Sequence, residues 1–101
     1  MRYTFEEDFG TWPKYSNHIS FDVELSDEEA NLIRAFLKEN GDCDYADLES
    51  ESPALFDRII DAANEAVLAA LNKGRKKKLD FFDVDWQSIG YDFYWPKELM
   101  E

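Results

Sequence analysis

His18 and Cys43 are the only imidazole and the only thiol in the chain, the two side chains with the chemistry of a base and its nucleophile. A working pair needs a thiolate and a carboxylate to orient the imidazole. Cys43 stands between Asp42 and Asp44, and neighbouring negative charge disfavours the thiolate. His18 falls on the polar side of an alternating stretch. The expectation is a surface histidine and an incidental cysteine. One Cys and one His also make too poor a soft-ligand set for zinc.

Calcium fares little better. A loop of EF-hand type needs ligands at its first, third and fifth places, glycine at the sixth and glutamate at the twelfth. Counted from Asp42, Asp44 is in place, but Ala46, Asp47 and Pro53 occupy the fifth, sixth and twelfth places. Counted from Asp83, Asp85 fits and Tyr94 takes the last place. Carboxylate pairs for glycoside chemistry are numerous, but an acidic surface supplies them by chance without a cleft. No metal, no cofactor and no enzymatic activity are expected.

Charge is the feature that stands out. The 101 residues carry 23 Asp and Glu against 11 Lys and Arg, a formal charge of −12. Between residues 26 and 74 there are twelve carboxylates and four bases (Arg34, Lys38, Arg58 and Lys73), so this segment holds −8 of it. A field of that sign repels nucleic acid and anionic membranes and attracts basic partners. Asp57, Asp61 and Glu65 recur every fourth residue, which on a helix is one row at intervals of about 6 Å. Like charges so placed cost roughly 0.2–0.5 kcal/mol per pair, and Arg58 is the base expected to relieve them. On strands, Asp22 with Glu24 and Asp83 with Asp85 would repeat at about 6.8 Å. The plainer account of all these acids is solubility.

The elements that position these groups follow from periodicity. Ile19, Phe21, Val23 and Leu25 alternate with polar residues, predicting a strand over His18–Leu25. Ser26-Asp27-Glu28-Glu29 is a capping-box signal for a helix with the apolar stripe Ala30, Ile33, Phe36 and Leu37, stopped at Asn40-Gly41. An acidic connector over residues 41–52 follows, pinned by Tyr45 and Leu48. Ser52-Pro53 opens a second helix, with Phe56, Ile59, Ile60, Ala63, Val67, Ala70 and Leu71 on one face and Gly74 at its end. Arg75-Lys76-Lys77-Lys78 then meets the negative end of the helix dipole.

Phe82, Val84 and Trp86, then Ile89, Tyr91, Phe93 and Trp95, alternate on either side of Gln87-Ser88 and predict a hairpin. That hairpin would point Phe82 and Phe93 inward and leave Phe81 and Tyr94 partly exposed. A weak alternation through Tyr3 and Phe5 leaves open whether Arg2–Glu7 is a strand. Trp12-Pro13 and Trp95-Pro96 read as two similar chain corners. The expected fold is α+β, two helices on one face of a small antiparallel sheet in the order β-β-α-α-β-β, with residues 1–101 as a single acidic globular domain.

The single Cys forbids an internal disulfide, and no apolar run resembles a signal peptide or a membrane span, so a cytoplasmic protein is expected. The first functional expectation is a non-enzymatic acidic binding protein of the immunity, antitoxin or nucleic-acid-mimic type. Its partner would be a basic protein (a nuclease, a toxin or a nucleic-acid-binding protein), with no direct contact to nucleic acid or membrane. The contact residues would be Asp42, Asp44, Asp47, Asp57, Asp61, Glu65, Asp83 and Asp85, with Tyr94 as an aromatic anchor. The alternative is a homodimer formed through the aromatic hairpin, with charge serving solubility only.

Overall fold

The computed structural model describes residues 1–11, 14–40 and 45–100. Its order is β1 (Arg2–Thr11), β2 (Lys14–Glu24), α1 (Asp27–Asn40), a 3₁₀ turn (Tyr45–Ser50), α2 (Pro53–Asn72), two further 3₁₀ turns (Phe81–Asp83 and Trp86–Ser88), β3 (Gly90–Tyr94) and α3 (Lys97–Met100). The sheet is antiparallel with order β2-β1-β3. The fold is α+β as expected, but with three strands among the described residues where four were predicted.

The opening strand is longer than the alternation through Tyr3 and Phe5 suggested. Tyr3, Phe5, Glu7 and Phe9 all face the core, and Arg2, Thr4, Glu6 and Asp8 face outward. The predicted strand at His18–Leu25 likewise begins earlier, at Lys14. Its partner register sets Phe5 against Phe21 and Asp8 against His18.

The first helix starts where the sequence put it. The Ser26 N–H donates to Glu29 Oε1 at 2.9 Å and the Glu29 N–H to Ser26 Oγ at 3.1 Å, closing the capping box. Such a cap contributes about 1 kcal/mol. Ala30, Ile33, Phe36 and Leu37 are buried, as their spacing predicted. The second helix buries Leu55, Phe56, Ile59, Ala63 and Val67. Each fully buried Ile or Leu contributes roughly 1.5–3 kcal/mol, so Ile33 and Ile59, both without exposed surface, anchor their helices in the common core.

Gly74 ends α2 with φ +80°, a left-handed conformation open to glycine at little cost. The basic run beyond it behaves as a helix-end cluster: Lys78 Nζ donates to the Asn72 carbonyl at 2.9 Å. Asn72 also holds the returning chain, accepting from the Leu79 N–H at 2.6 Å and donating to its carbonyl at 3.0 Å.

The predicted hairpin does not form. Gly90–Tyr94 is a strand, but it pairs with β1, and the residues before it are turns. The cause is local polar competition with the ladder. Asp80 Oδ1 accepts from the Phe81 N–H, Asp83 Oδ2 accepts from the Asp80 N–H, each at 2.8 Å, and Ser88 Oγ donates to the Asp85 carbonyl at 2.9 Å. Trp95-Pro96 is a buried corner leading into α3. The matching Trp12-Pro13 lies outside the described residues.

Candidate acidic and aromatic surfaces

The predicted contact residues fall on separate parts of the molecule. Asp42 and Asp44 lie outside the described residues. Asp57, Asp61 and Glu65 form the exposed ridge of α2. At 100° per residue the row is centred on the side of the helix opposite Ala63 and Val67, so it is the wettest line the helix has. Among the described residues none of the three makes an ion pair. Arg58 does not relieve them: its guanidinium Nη1 is drawn to Glu29 Oε2 of α1 at 2.7 Å, and the same nitrogen donates to the Glu24 carbonyl at 3.4 Å. That pairing holds the Glu29 carboxyl below its usual range, with the Ser26 N–H adding to the effect.

Asp47 is exposed on the 3₁₀ turn and shares a hollow of about 1010 Å³ with Asp57. Glu49 and Glu51 line it too, so the turn brings four carboxylates around one opening beside Asn40 and Pro53. The sequence placed Asp47 and Asp57 in one contact set but gave no reason for them to meet. The turn packs against α2, with Leu48 fully buried in the core, and this sets Asp47 and Asp57 around one opening.

Asp83 and Asp85 are exposed, but on the turns rather than on a strand, so their predicted strand spacing does not hold. The aromatic residues there are also reordered. Phe82, expected inside, is 90% exposed, and Phe81 is 42% exposed. Phe81 packs against Trp86 with centroids 5.0 Å apart, and the Trp86 indole N–H donates to the Phe81 carbonyl at 3.0 Å.

Tyr94 is 45% exposed on the outer face of the sheet, as expected, but its hydroxyl is committed. It donates to Asp8 Oδ2 at 2.8 Å. His18 Nδ1 meets the other oxygen of Asp8 at 2.6 Å, and Nε2 lies 3.2 Å from Glu6 Oε1. The surface histidine therefore belongs to a group drawn from all three strands. Register explains it: Asp8 sits between His18 on β2 and Asp92 on β3. Like charges directly opposite destabilise a sheet, and His18 and Tyr94 offset that repulsion.

The hydrogen bonds to Asp8, then Glu6, raise the His18 pKa, and those from His18, then Tyr94, lower that of Asp8. The raised His18 value gives a contribution present below the ordinary histidine range and lost as pH rises through the folded value. The lowered Asp8 value gives one lost as pH falls through it. Both groups are solvent-accessible, so the effect on stability is slight. NMR titration should place His18 above an ordinary histidine, and Asp8→Asn should bring it back down. An unshifted wild-type midpoint would show that the pair does not persist in solution.

Glu7 is the residue whose position sequence reasoning missed. It occupies a core-facing place between Phe5 and Phe9 and is only 4% exposed. The alternation Tyr3, Phe5, Glu7, Phe9 carried the signal, once the strand was extended past Glu7. Among the described residues Glu7 lines a cleft of about 300 Å³ with Ile60, Asn64 and Val67 of α2 and with Phe81, Trp86, Ile89 and Tyr91.

Among the described residues no group of three or more His, Cys, Asp and Glu side chains is arranged to hold a metal ion. Nor is any helix there long and apolar enough to cross a membrane. Comparison of the chain with protein-family models, with curated proteins and with solved structures finds no match.

Proposed function

We propose that this is a non-enzymatic acidic binding protein that docks a basic protein partner through the α2 ridge and the adjoining hollow. The observation that carries the reading is the uncompensated row of Asp57, Asp61 and Glu65, with Arg58 engaged elsewhere. Those charges are spaced at about 6 Å along the axis, roughly half the linear density of one DNA strand at about 3.4 Å per phosphate. Asp47, Glu49 and Glu51 add to it at one end of the row. A surface of this kind matches the basic face of a nuclease, a toxin or a nucleic-acid-binding protein and seals it as an inhibitor does.

The test is to reverse the row with Asp57→Lys, Asp61→Lys and Glu65→Lys. Stability should barely move, because one like-charge row replaces another of similar cost. A basic protein captured from the native host by the wild type should be lost by the triple variant. Its affinity for the wild type should fall steeply with salt, since steering by surface charge is screened beyond roughly 8–10 Å near physiological ionic strength. Equal affinity for both proteins with no salt slope would leave the acids with solubility alone.

A further inference from the structure

Strand β2 is an edge of the sheet, and the ladder shows which groups it presents there. The Leu25 N–H donates to the Met1 carbonyl and the Met1 nitrogen to the Leu25 carbonyl, each at 3.0 Å, so these residues exchange both bonds of an antiparallel pair. Such pairs alternate along a ladder. By the register, Tyr3 with Val23, Phe5 with Phe21 and Glu7 with Ile19 are the next of them. The residues between, Glu24, Asp22, Ser20 and His18, therefore direct their N–H and C=O groups away from β1. The Glu24 carbonyl fits that direction, since it accepts from Arg58 of α2 and not from a strand. Among the described residues no hydrogen bond reaches the backbone groups of Asp22, Ser20 or His18 on that side. An edge of this kind is a template for another chain, and folded proteins blunt it with proline, a bulge, a short strand or an inward-pointing charge. β2 has 11 residues and no proline, its register irregularity lies at the Phe9/Thr11 end, and Ile19, Phe21 and Val23 point inward.

We propose that the β2 edge from His18 to Asp22 takes up an extended segment of the basic partner as an added antiparallel strand. The chemistry of that segment follows from the two faces it would continue. On the core side it would extend the row of Ile19, Phe21 and Val23, so alternate positions are apolar. On the outer side it would stand beside a face that, among the described residues, sets Glu6, Asp8, Asp22, Glu24 and Asp92 against Arg2 and His18. The remaining positions are therefore lysine or arginine, since opposite charges across a strand pair attract. The Thr4 hydroxyl donates to Asp22 Oδ1 at 2.7 Å, which aims that carboxylate without neutralising it. A second copy fits the edge poorly: each chain carries −12, and a second β2 would bring its own Asp22 and Glu24 to the same acidic face. That the segment belongs to a basic partner rests on the docking reading above. Arg58 joins the two surfaces, standing within the ridge in sequence and reaching the β2 edge at Glu24.

The experiment uses the peptide acetyl-Lys-Val-Lys-Val-Lys-Val-amide in two isomeric forms, one N-methylated at every lysine nitrogen and the other at every valine nitrogen. Both have the same charge and mass. In an antiparallel addition the lysines pair with His18, Ser20 and Asp22, so only lysine N-methylation removes the N–H groups that bond to β2. The amides of His18, Ser20 and Asp22 are followed by NMR shift and hydrogen exchange, at moderate salt to suppress diffuse attraction. In the free protein they should exchange much faster than those of Ile19 and Phe21. The valine-methylated peptide should shift and protect them saturably, with the lysine-methylated isomer about ten-fold or more weaker. Equal binding of the two isomers, or no saturable change, would overturn the proposal without recourse to any variant. Ser20→Pro removes one outward N–H at a place where an edge strand tolerates proline. It should lose the valine-methylated peptide, and a folded Ser20→Pro that binds as the wild type does would overturn the proposal as well. Changes at the same amides on raising the protein concentration alone would assign the edge to a second copy and overturn the basic segment. The isomer comparison needs no partner, so its failure leaves the α2 ridge reading standing. Ridge variants that keep their partner would leave the isomer result standing.

Discussion

Phe5→Ala should lower stability by about 3–5 kcal/mol, the range for truncating a buried phenylalanine. Phe5 has no exposed surface and lies on the central strand of the sheet. Its ring stacks on Phe21 of β2 with centroids 5.6 Å apart and planes 10° from parallel. It meets Phe93 of β3 at 5.7 Å and Trp95 at 6.2 Å. Trp95 in turn meets Phe36 of α1 at 6.3 Å. One ring thus joins all three strands and, through Trp95, the first helix. Aromatic pairs of this kind add about 0.5–1.5 kcal/mol each beyond area burial, so the upper part of the range is expected. Domains are commonly stable by only about 5–15 kcal/mol. Urea unfolding should therefore show a much lower midpoint with an unchanged slope. A loss below about 1 kcal/mol would mean that the core is not organised around this ring.

Leu48→Ala should cost about 2–5 kcal/mol, with consequences concentrated at the acidic hollow. Leu48 is fully buried within a turn whose neighbours Asp47 and Glu49 are exposed. Its carbonyl accepts from the Glu51 N–H at 3.0 Å and the Ser52 N–H at 2.8 Å, so it also fixes the entry to α2. Removing the side chain leaves the turn without its apolar anchor, while the four carboxylates around the hollow repel one another. Hydrogen exchange should show the Glu51 and Ser52 amides losing protection beyond the global change. If the hollow is part of the docking surface, affinity for the basic partner should fall although no acidic residue has been altered. Unchanged stability together with unchanged protection at these amides would refute the anchoring role.

The parts of the fold that could be read in advance are those with a local cause. Ser26 and Glu29 recognise each other across one turn, so the start of α1 needed no knowledge of the rest of the chain. The stripe of Ala30, Ile33, Phe36 and Leu37 and the exposed row of Asp57, Asp61 and Glu65 follow from helical period alone. Gly74 could end α2 because a left-handed residue needs only its own missing side chain. The region before β3 misled for an equally local reason. Phe82, Val84 and Trp86 alternate as a strand would, but Asp80, Asp83, Asp85 and Ser88 have short side chains or backbone groups that close turns, and these prevailed.

Composition and pattern alone determined an acidic α+β chain, two amphipathic helices, the capping box that opens the first of them, and a carboxylate ridge facing water. Only the tertiary structure decided which distant residues meet. Strand register brought His18, Asp8 and Tyr94 together from three strands, and the longer β1 turned Glu7 inward beneath α2. Packing of the turn around Leu48 set Asp47 and Asp57 on one opening, and Glu29 drew Arg58 away from the ridge within which it stands in sequence. Helical period and capping act over three or four residues and are written in the chain. Register and packing depend on which surfaces close against each other, and no local spacing contains that information.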